Sequence, residues 1–193
     1  MYVFIGSQGS SLNLLAAPYG VACLPMSKTF YVADTYNHRI MYFVVGNPNG
    51  TVIAGGNGNG LNGNQLSTPV DLQFDAPSNS TIIANCDGNN TIRWALDASN
   101  WTLIADSSTG IGICPRGVTT DPMGNIYIAD TKNVRIQFYP VGEMNGTTIA
   151  GTKSVLGANA SLLAFPYSVV LDSQLNLYVS DYSNYRIQKF VRY

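Results

Sequence analysis

Three Asp–Arg pairs are the residues of this sequence that most resemble catalytic acids and bases. In each pair the arginine follows the aspartate by five positions, and an asparagine lies between them. The pairs are Asp34/Arg39, Asp130/Arg135 and Asp181/Arg186. One active site needs one set of catalytic groups, whereas a set that recurs at equivalent positions is typical of structure. We therefore interpret the pairs as structural: the aspartate accepts backbone N–H groups at a turn, and the arginine packs against a neighbouring unit or a carboxylate.

The sequence does not predict a metal centre or a catalytic constellation. His38 is the single histidine, whereas catalytic zinc takes three protein ligands. Glu143 is the single glutamate, and the sequence contains no Asp-x-Asp-x-Asp calcium loop. It also contains no Gly-x-Ser-x-Gly elbow, phosphate loop or Cys/His dyad. We expect a non-enzymatic protein without metal or cofactor.

The three cysteines, Cys23, Cys86 and Cys114, have spacings that fit no zinc or redox motif. We expect them to be buried free thiols on strands. A Cys86–Cys114 disulfide is the alternative, which spacing alone does not support.

The Asp–Arg pairs belong to a long repeat. Each repeat opens on a proline, and the intervals between Pro18, Pro69, Pro115 and Pro166 are 51, 46 and 51 residues. The proline is followed by a short apolar strand, a turn, and a second strand rich in β-branched and aromatic residues. The Asp-x-x-Asn-x-Arg turn, a third strand, a hairpin turn and a fourth strand come next. The second repeat is degenerate. Four antiparallel strands per repeat at this period predict the blades of a β-propeller.

The predicted fold is therefore an all-β single domain of four four-stranded blades. The blades cover approximately residues 18–56, 69–106, 115–151 and 166–193, and a strand from residues 1–6 completes the last one. Pairing the two ends would remove an exposed sheet edge. The four blades either close into a small ring or form an open arc, and open blade edges would allow self-association.

The third repeat, from Pro115 to Phe138, reads Pro-x-Gly-Val and then Asp-x-x-Gly-Asn-Ile-Tyr-Ile-Ala-Asp-x-x-Asn-x-Arg-Ile-Gln-x-Phe. This pattern resembles the NHL-repeat family of β-propellers. Its members usually form six-bladed rings, so four repeats depart from the family pattern. The family includes peptide-amidating lyases and the substrate- or RNA-binding ends of ubiquitin ligases. The resemblance implies the fold strongly and the function weakly. It leaves open a binding or scaffold module, a lyase- or lactonase-like enzyme with a channel-bound metal, and the recognition part of a ubiquitin ligase.

Side chains that differ between the repeats gather at one end of the strands. Strands alternate in direction, so the turns between second and third strands and the links from fourth to first strands open on the same face. That face collects Tyr19, Tyr36, His38, Arg116, Lys132, Tyr167, Tyr182 and Tyr185. Tyrosine and arginine are enriched in binding hot spots. We expect this face to recognise a protein, peptide or glycan; alternatively, these residues only cover the strand ends.

The net charge and the glycosylation sequons limit which partners and which cellular location we expect. The net charge of −1 and the lack of a Lys/Arg run argue against binding to nucleic acid or to a membrane surface. The longest apolar run, Ile40 to Val45, is too short for membrane insertion. Six glycosylation sequons favour an extracellular glycoprotein, although the first residues do not resemble a signal peptide; a cytoplasmic location is the alternative. The sequon asparagines are Asn49, Asn79, Asn89, Asn100, Asn145 and Asn159.

Overall fold

The chain folds as four antiparallel sheets. The computed structural model describes residues 7–24, 28–108 and 114–191. Over these ranges the helical content is limited to three single 3-10 turns, at Thr35–Asn37, Thr131–Asn133 and Tyr182–Asn184. No helix within the same ranges combines the length and apolar character needed to cross a bilayer. The all-β prediction is confirmed.

Each sheet is a meander of consecutive strands, and we call each sheet a blade. Blade 1 contains β1 (Pro18–Leu24), β2 (Thr29–Asp34), β3 (Arg39–Val44) and β4 (Thr51–Gly55). Blade 2 contains β5 (Pro69–Asp75), β6 (Ser80–Asn85), β7 (Asn90–Ala95) and β8 (Thr102–Ala105). Blade 3 contains β9 (Gly117–Thr120), β10 (Ile126–Asp130), β11 (Arg135–Tyr139) and β12 (Thr147–Gly151). Blade 4 contains β13 (Pro166–Leu171), β14 (Leu177–Asp181) and β15 (Arg186–Phe190).

The blades are arranged as a β-propeller, with the first strand of each blade innermost. Strand β5 contacts both β1 and β9, and β9 contacts β13. No comparable contact joins β13 to β1 in the part of the chain that the structure describes. The predicted strand at residues 1–6 lies outside the described residues. Self-association through open blade edges stays a prediction.

Most of the hydrophobic core lies between neighbouring blades, and a smaller cluster of Val32, Met41 and Phe43 lies within blade 1. Ile40 and Leu66 pack with Ile83 between blades 1 and 2. Ile82 and Ile128 belong to the cluster between blades 2 and 3, and a third cluster fills the space between blades 3 and 4. Blade 2 is covered on both sides, so every residue of β6 is buried. Because a single blade cannot bury its own faces, the blades stabilise one another.

The innermost strands approach one another closely where the third position of the opening motif is small. A Cβ atom on Gly20 would lie 2.7 Å from the Asp71 Cα, and one on Gly117 would lie 2.8 Å from the Ser168 Cα. Such distances leave no room for a side chain without moving backbone. The two glycines therefore set the spacing between blades 1 and 2 and between blades 3 and 4.

The Asp–Arg pairs of blades 1 and 4 fasten the link that leads into their own blade. Asp34 is fully buried, and its Oδ2 accepts hydrogen bonds from Arg39 Nε at 2.6 Å and Asn37 Nδ2 at 2.8 Å. The Arg39 guanidinium also donates to the carbonyls of Ser10, Ser11 and Leu14. The ion pair recurs in blades 3 and 4, at 2.9 Å for Asp130/Arg135 and 2.8 Å for Asp181/Arg186.

We expected the aspartates to accept N–H groups of the turn, and this is wrong: no capping hydrogen bond joins the side chain of Asp34, Asp130 or Asp181 to its 3-10 turn. Asp34 Oδ1 instead accepts from the backbone N–H of Ala16, and Asp181 Oδ1 accepts from that of Ala164, both at 2.6 Å. The backbone N–H that closes the 3-10 turn in blade 1 donates to the Thr35 carbonyl, so the turn satisfies itself. The carboxylate is left to hold the link against the blade.

A second contact joins each of the first three blades to the start of the next. The hydroxyls of Thr35 and Thr131 donate at 2.7 Å to the carbonyls of Pro69 and Pro166. In blade 2 the residue equivalent to Thr35 is Cys86, and it forms a disulfide with Cys114, which precedes Pro115. The expectation of buried free thiols is therefore wrong for this pair, because the repeat places both cysteines at one junction between blades. It is also wrong for Cys23, which is an exposed free cysteine.

The disulfide predicts a specific pattern of thiol labelling and stability. Alkylation of the unfolded, unreduced chain should modify Cys23 alone, and prior reduction should expose Cys86 and Cys114 as well. The bridge spans a sequence separation of 28, so reduction should lower the free energy of unfolding by about 3 to 4 kcal/mol. Mass spectrometry and urea denaturation provide the two measurements.

The control is Cys23→Ser, which should leave stability unchanged and abolish labelling of the unreduced chain. Labelling of all three cysteines before reduction would contradict the disulfide.

Candidate ligand-binding site

The turns and the links meet at one end of the blades, as the strand directions require. The backbone N–H of Tyr36 donates to the Ala16 carbonyl, and that of Ser183 donates to the Ala164 carbonyl. These bonds join the turn after a second strand to the link before the same blade. We call the surface formed by these turns and link ends the loop face.

A cavity of about 210 Å³ lies where the innermost strands begin. All four blades contribute to its walls, because the second residue of each opening motif, and the third residue in three of the four blades, lies there. The lining residues include Tyr19, Gly20, Val70, Asp71, Arg116 and Tyr167. The structure thus brings three of the eight predicted recognition residues, Tyr19, Arg116 and Tyr167, to one cavity.

Arg116 packs on an aromatic ring instead of pairing with a carboxylate. Its guanidinium carbon lies 4.6 Å from the centroid of the Tyr167 ring, a cation–π distance. The Tyr167 ring stacks in turn on the Tyr182 ring, with centroids 4.2 Å apart and planes 2° from parallel. Tyr167 is half-buried and Tyr182 is exposed. The stack therefore presents a cation and a tyrosine edge at the loop face.

Asp71 is the cavity residue that the sequence analysis did not single out. Its Oδ2 accepts from the backbone N–H of Val118 at 2.9 Å, across the junction of blades 2 and 3. Burial raises the pKa of Asp71 to about 6, against the opposing effect of N–H groups donated by Val118 and Leu72. A signal was present in the sequence, because the equivalent positions in the other motifs are Gly20, Gly117 and Ser168.

The other predicted recognition residues lie on the loop face at different sites. Tyr36, Lys132 and Tyr185 are exposed on or beside the 3-10 turns, and Tyr185 has a relative exposure of 96%. His38, which the sequence placed among the recognition residues, is half-buried. Its Nδ1 accepts from the backbone N–H of Thr68 at 3.1 Å, so it connects the blade 1 turn to the link that follows.

Potential metal ligands are dispersed. Across residues 7–24, 28–108 and 114–191, the structure contains no group of three or more His, Cys, Asp or Glu side chains that could hold a metal ion.

The sequence comparison identifies the repeat. The model of the NHL repeat matches residues 113–139 and 163–190, which lie in the third and fourth units. No curated protein matches the sequence. Two of the four units therefore match the NHL repeat and the fold is a four-bladed β-propeller, which confirms the resemblance found in the sequence.

Solved structures share this fold at low sequence identity. A protein of unknown function from Bacteroides thetaiotaomicron superposes with a TM-score of 0.73 and 19% identity, over 90% of this chain and 47% of that one. A catalytically inactive virginiamycin B lyase from Staphylococcus aureus, solved with quinupristin, gives 0.60 and 15%, over 91% and 55%. An auxiliary nutrient binding protein from B. thetaiotaomicron gives 0.64 and 16%, over 88% and 46%. The chain spans about half the length of these structures.

The raised pKa of Asp71 predicts a pH-dependent stability. The carboxyl ionises near its usual pKa of 3.8 when unfolded but near 6 when folded. Its contribution to stability is therefore lost as pH rises through this window, by up to about 3 kcal/mol. Asp71→Asn cannot ionise and keeps an acceptor oxygen, so it should gain stability relative to the unmodified chain as the pH rises from about 4 to about 7. Urea denaturation at several pH values measures this.

Asp97→Asn, at an exposed loop position, is the matched control and should follow the pH profile of the unmodified chain. Parallel profiles for the chain and for Asp71→Asn would contradict the assignment.

Proposed function

We propose that this chain is a non-enzymatic binding module that recognises a protein, peptide or glycan through its loop face. The observation that supports the proposal most is the Arg116–Tyr167–Tyr182 stack beside the cavity. Arg116 differs from the arginines that fasten links, because no hydrogen bond or ion pair engages its guanidinium among the described residues. A cation and tyrosine rings without a fastening role are suited to contact with a ligand.

The fold comparison supports binding in general terms. One structure with the same fold is named an auxiliary nutrient binding protein. A second candidate function is a lyase, because a virginiamycin B lyase and a streptogramin B lyase also share the fold. Their identities to this chain are 15% and 14%, so the likeness concerns the fold.

We also propose an extracellular location. Two observations support it. The Cys86–Cys114 disulfide is buried, and structural disulfides persist in oxidising compartments. The asparagine of every sequon is exposed, so the sites that were predicted for glycosylation are accessible on the folded chain; they are Asn49, Asn79, Asn89, Asn100, Asn145 and Asn159.

The binding proposal is tested by screening the chain against a glycan array and a peptide library. A ligand recognised through the loop face should lose at least about tenfold in affinity for the Arg116→Ala/Tyr167→Ala double variant, because the cation and its aromatic support are both removed. Met123→Ala is the control, since Met123 is exposed in the turn at the opposite end of blade 3.

A ligand that binds the double variant as tightly as the unmodified chain would contradict this use of the loop face. Turnover of quinupristin by the chain would favour the lyase instead.

A further inference from the structure

The charges around the cavity at the innermost strands indicate what it can bind. Four other arginines in the described part of the chain form ion pairs with aspartates; they are Arg39, Arg93, Arg135 and Arg186. Arg116 forms none there, and its contact with Tyr167 leaves the edge N–H groups of the guanidinium available. A guanidinium offers five donors in a plane, and two of them match the oxygens of a carboxylate. The cavity therefore supplies a donor site for one anionic group.

Asp71 adds an acceptor on a second wall of the same cavity. Its carboxylate is fixed by the Val118 N–H, and a Cβ on Gly20 would lie 2.7 Å from Asp71 Oδ1. Because Gly20 has no side chain, Asp71 Oδ1 does not clash with blade 1. A carboxylate has about four lone-pair positions, so Asp71 can accept further hydrogen bonds from hydroxyl groups. One cation beside one carboxylate suits a ligand with a single negative charge better than a dianionic phosphate.

The volume of the cavity and the wall formed by Tyr19 restrict the ligand further. The cavity of about 210 Å³ has room for a single six-membered ring with its substituents. Tyr19 lines it and has a relative exposure of 65%, so its ring offers a flat apolar surface to a ligand ring. The combination required is a carboxylate, several hydroxyl donors and a ring face within one small unit.

We propose that this cavity binds one uronic-acid residue, with the sugar carboxylate on Arg116, hydroxyl groups donating to Asp71, and the sugar ring against Tyr19. The assignment rests on the proposed binding function and names its ligand class. Arg116 supplies the charge discrimination, and the Tyr167–Tyr182 pair keeps the guanidinium in place.

Calorimetry with D-glucuronate and D-glucose as probes tests the proposal on the full chain. The two sugars differ in the group that Arg116 would bind, so glucuronate should bind at least about tenfold more tightly than glucose. Arg116→Gln should remove this preference. Lys28→Gln is the matched control, because Lys28 is an exposed cation in the turn between β1 and β2, away from the loop face, and its replacement should keep the preference.

Equal affinity for the two sugars, no binding of glucuronate, or a preference that survives Arg116→Gln would overturn the assignment. Each of these results is separate from failure of the binding function. A chain that binds a different array ligand through the loop face, yet does not prefer glucuronate, loses only the uronic-acid assignment. If no ligand from the glycan array or the peptide library depends on Arg116 and Tyr167, the binding function itself fails.

Discussion

One interaction determines where the links and the innermost strands lie. It is the buried ion pair between the aspartate that ends the second strand of a blade and the arginine that begins the third. Asp34, Asp130 and Asp181 are fully buried, and leaving such a carboxylate without its arginine costs several kcal/mol. The carboxylate and the guanidinium also bind the link that precedes blades 1 and 4. Once that link is fixed, the proline that follows it and the first residues of the innermost strand are fixed too. Tyr19 and Tyr167 owe their positions at the cavity to this arrangement.

Blade 2 shows that the same task can be done with other chemistry. Asn85 and Asn90 occupy the positions of the aspartate and arginine, and they hydrogen-bond to each other at 2.9 Å. Asn85 Oδ1 accepts from the Ser67 N–H, as Asp34 does from Ala16. The indole N–H of Trp101 donates to carbonyls of the preceding link, which is the role of Arg39 in blade 1. The Cys86–Cys114 disulfide then replaces the threonine contact to the next blade, so the degenerate repeat is fastened covalently.

The sequence predicts the elements of this fold well because its signals are local and repeated. Alternating strands, turn residues and the spacing of the prolines each depend on a few neighbouring residues, and the all-β architecture follows from them. The disulfide could not be chosen from spacing, since it depends on how two blades meet. The N–H groups that donate to the aspartates were predicted wrongly for the same reason, because Ala16, whose N–H donates to Asp34, is distant in the sequence. The stack of Arg116 on Tyr167 and Tyr182, and the cavity beside Asp71, also arise only when separate blades come together.

The central claim is that recurring side chains fasten the propeller whereas non-recurring ones on the loop face are available for recognition. Comparing the free energies of unfolding of Arg135→Ala and Arg116→Ala by urea denaturation tests it most directly. We expect a loss of about 3 to 5 kcal/mol for Arg135→Ala, since the buried Asp130 would lose the guanidinium that balances its charge, and a change below about 1 kcal/mol for Arg116→Ala. Similar losses for the two variants, or a stable Arg135→Ala chain, would contradict it.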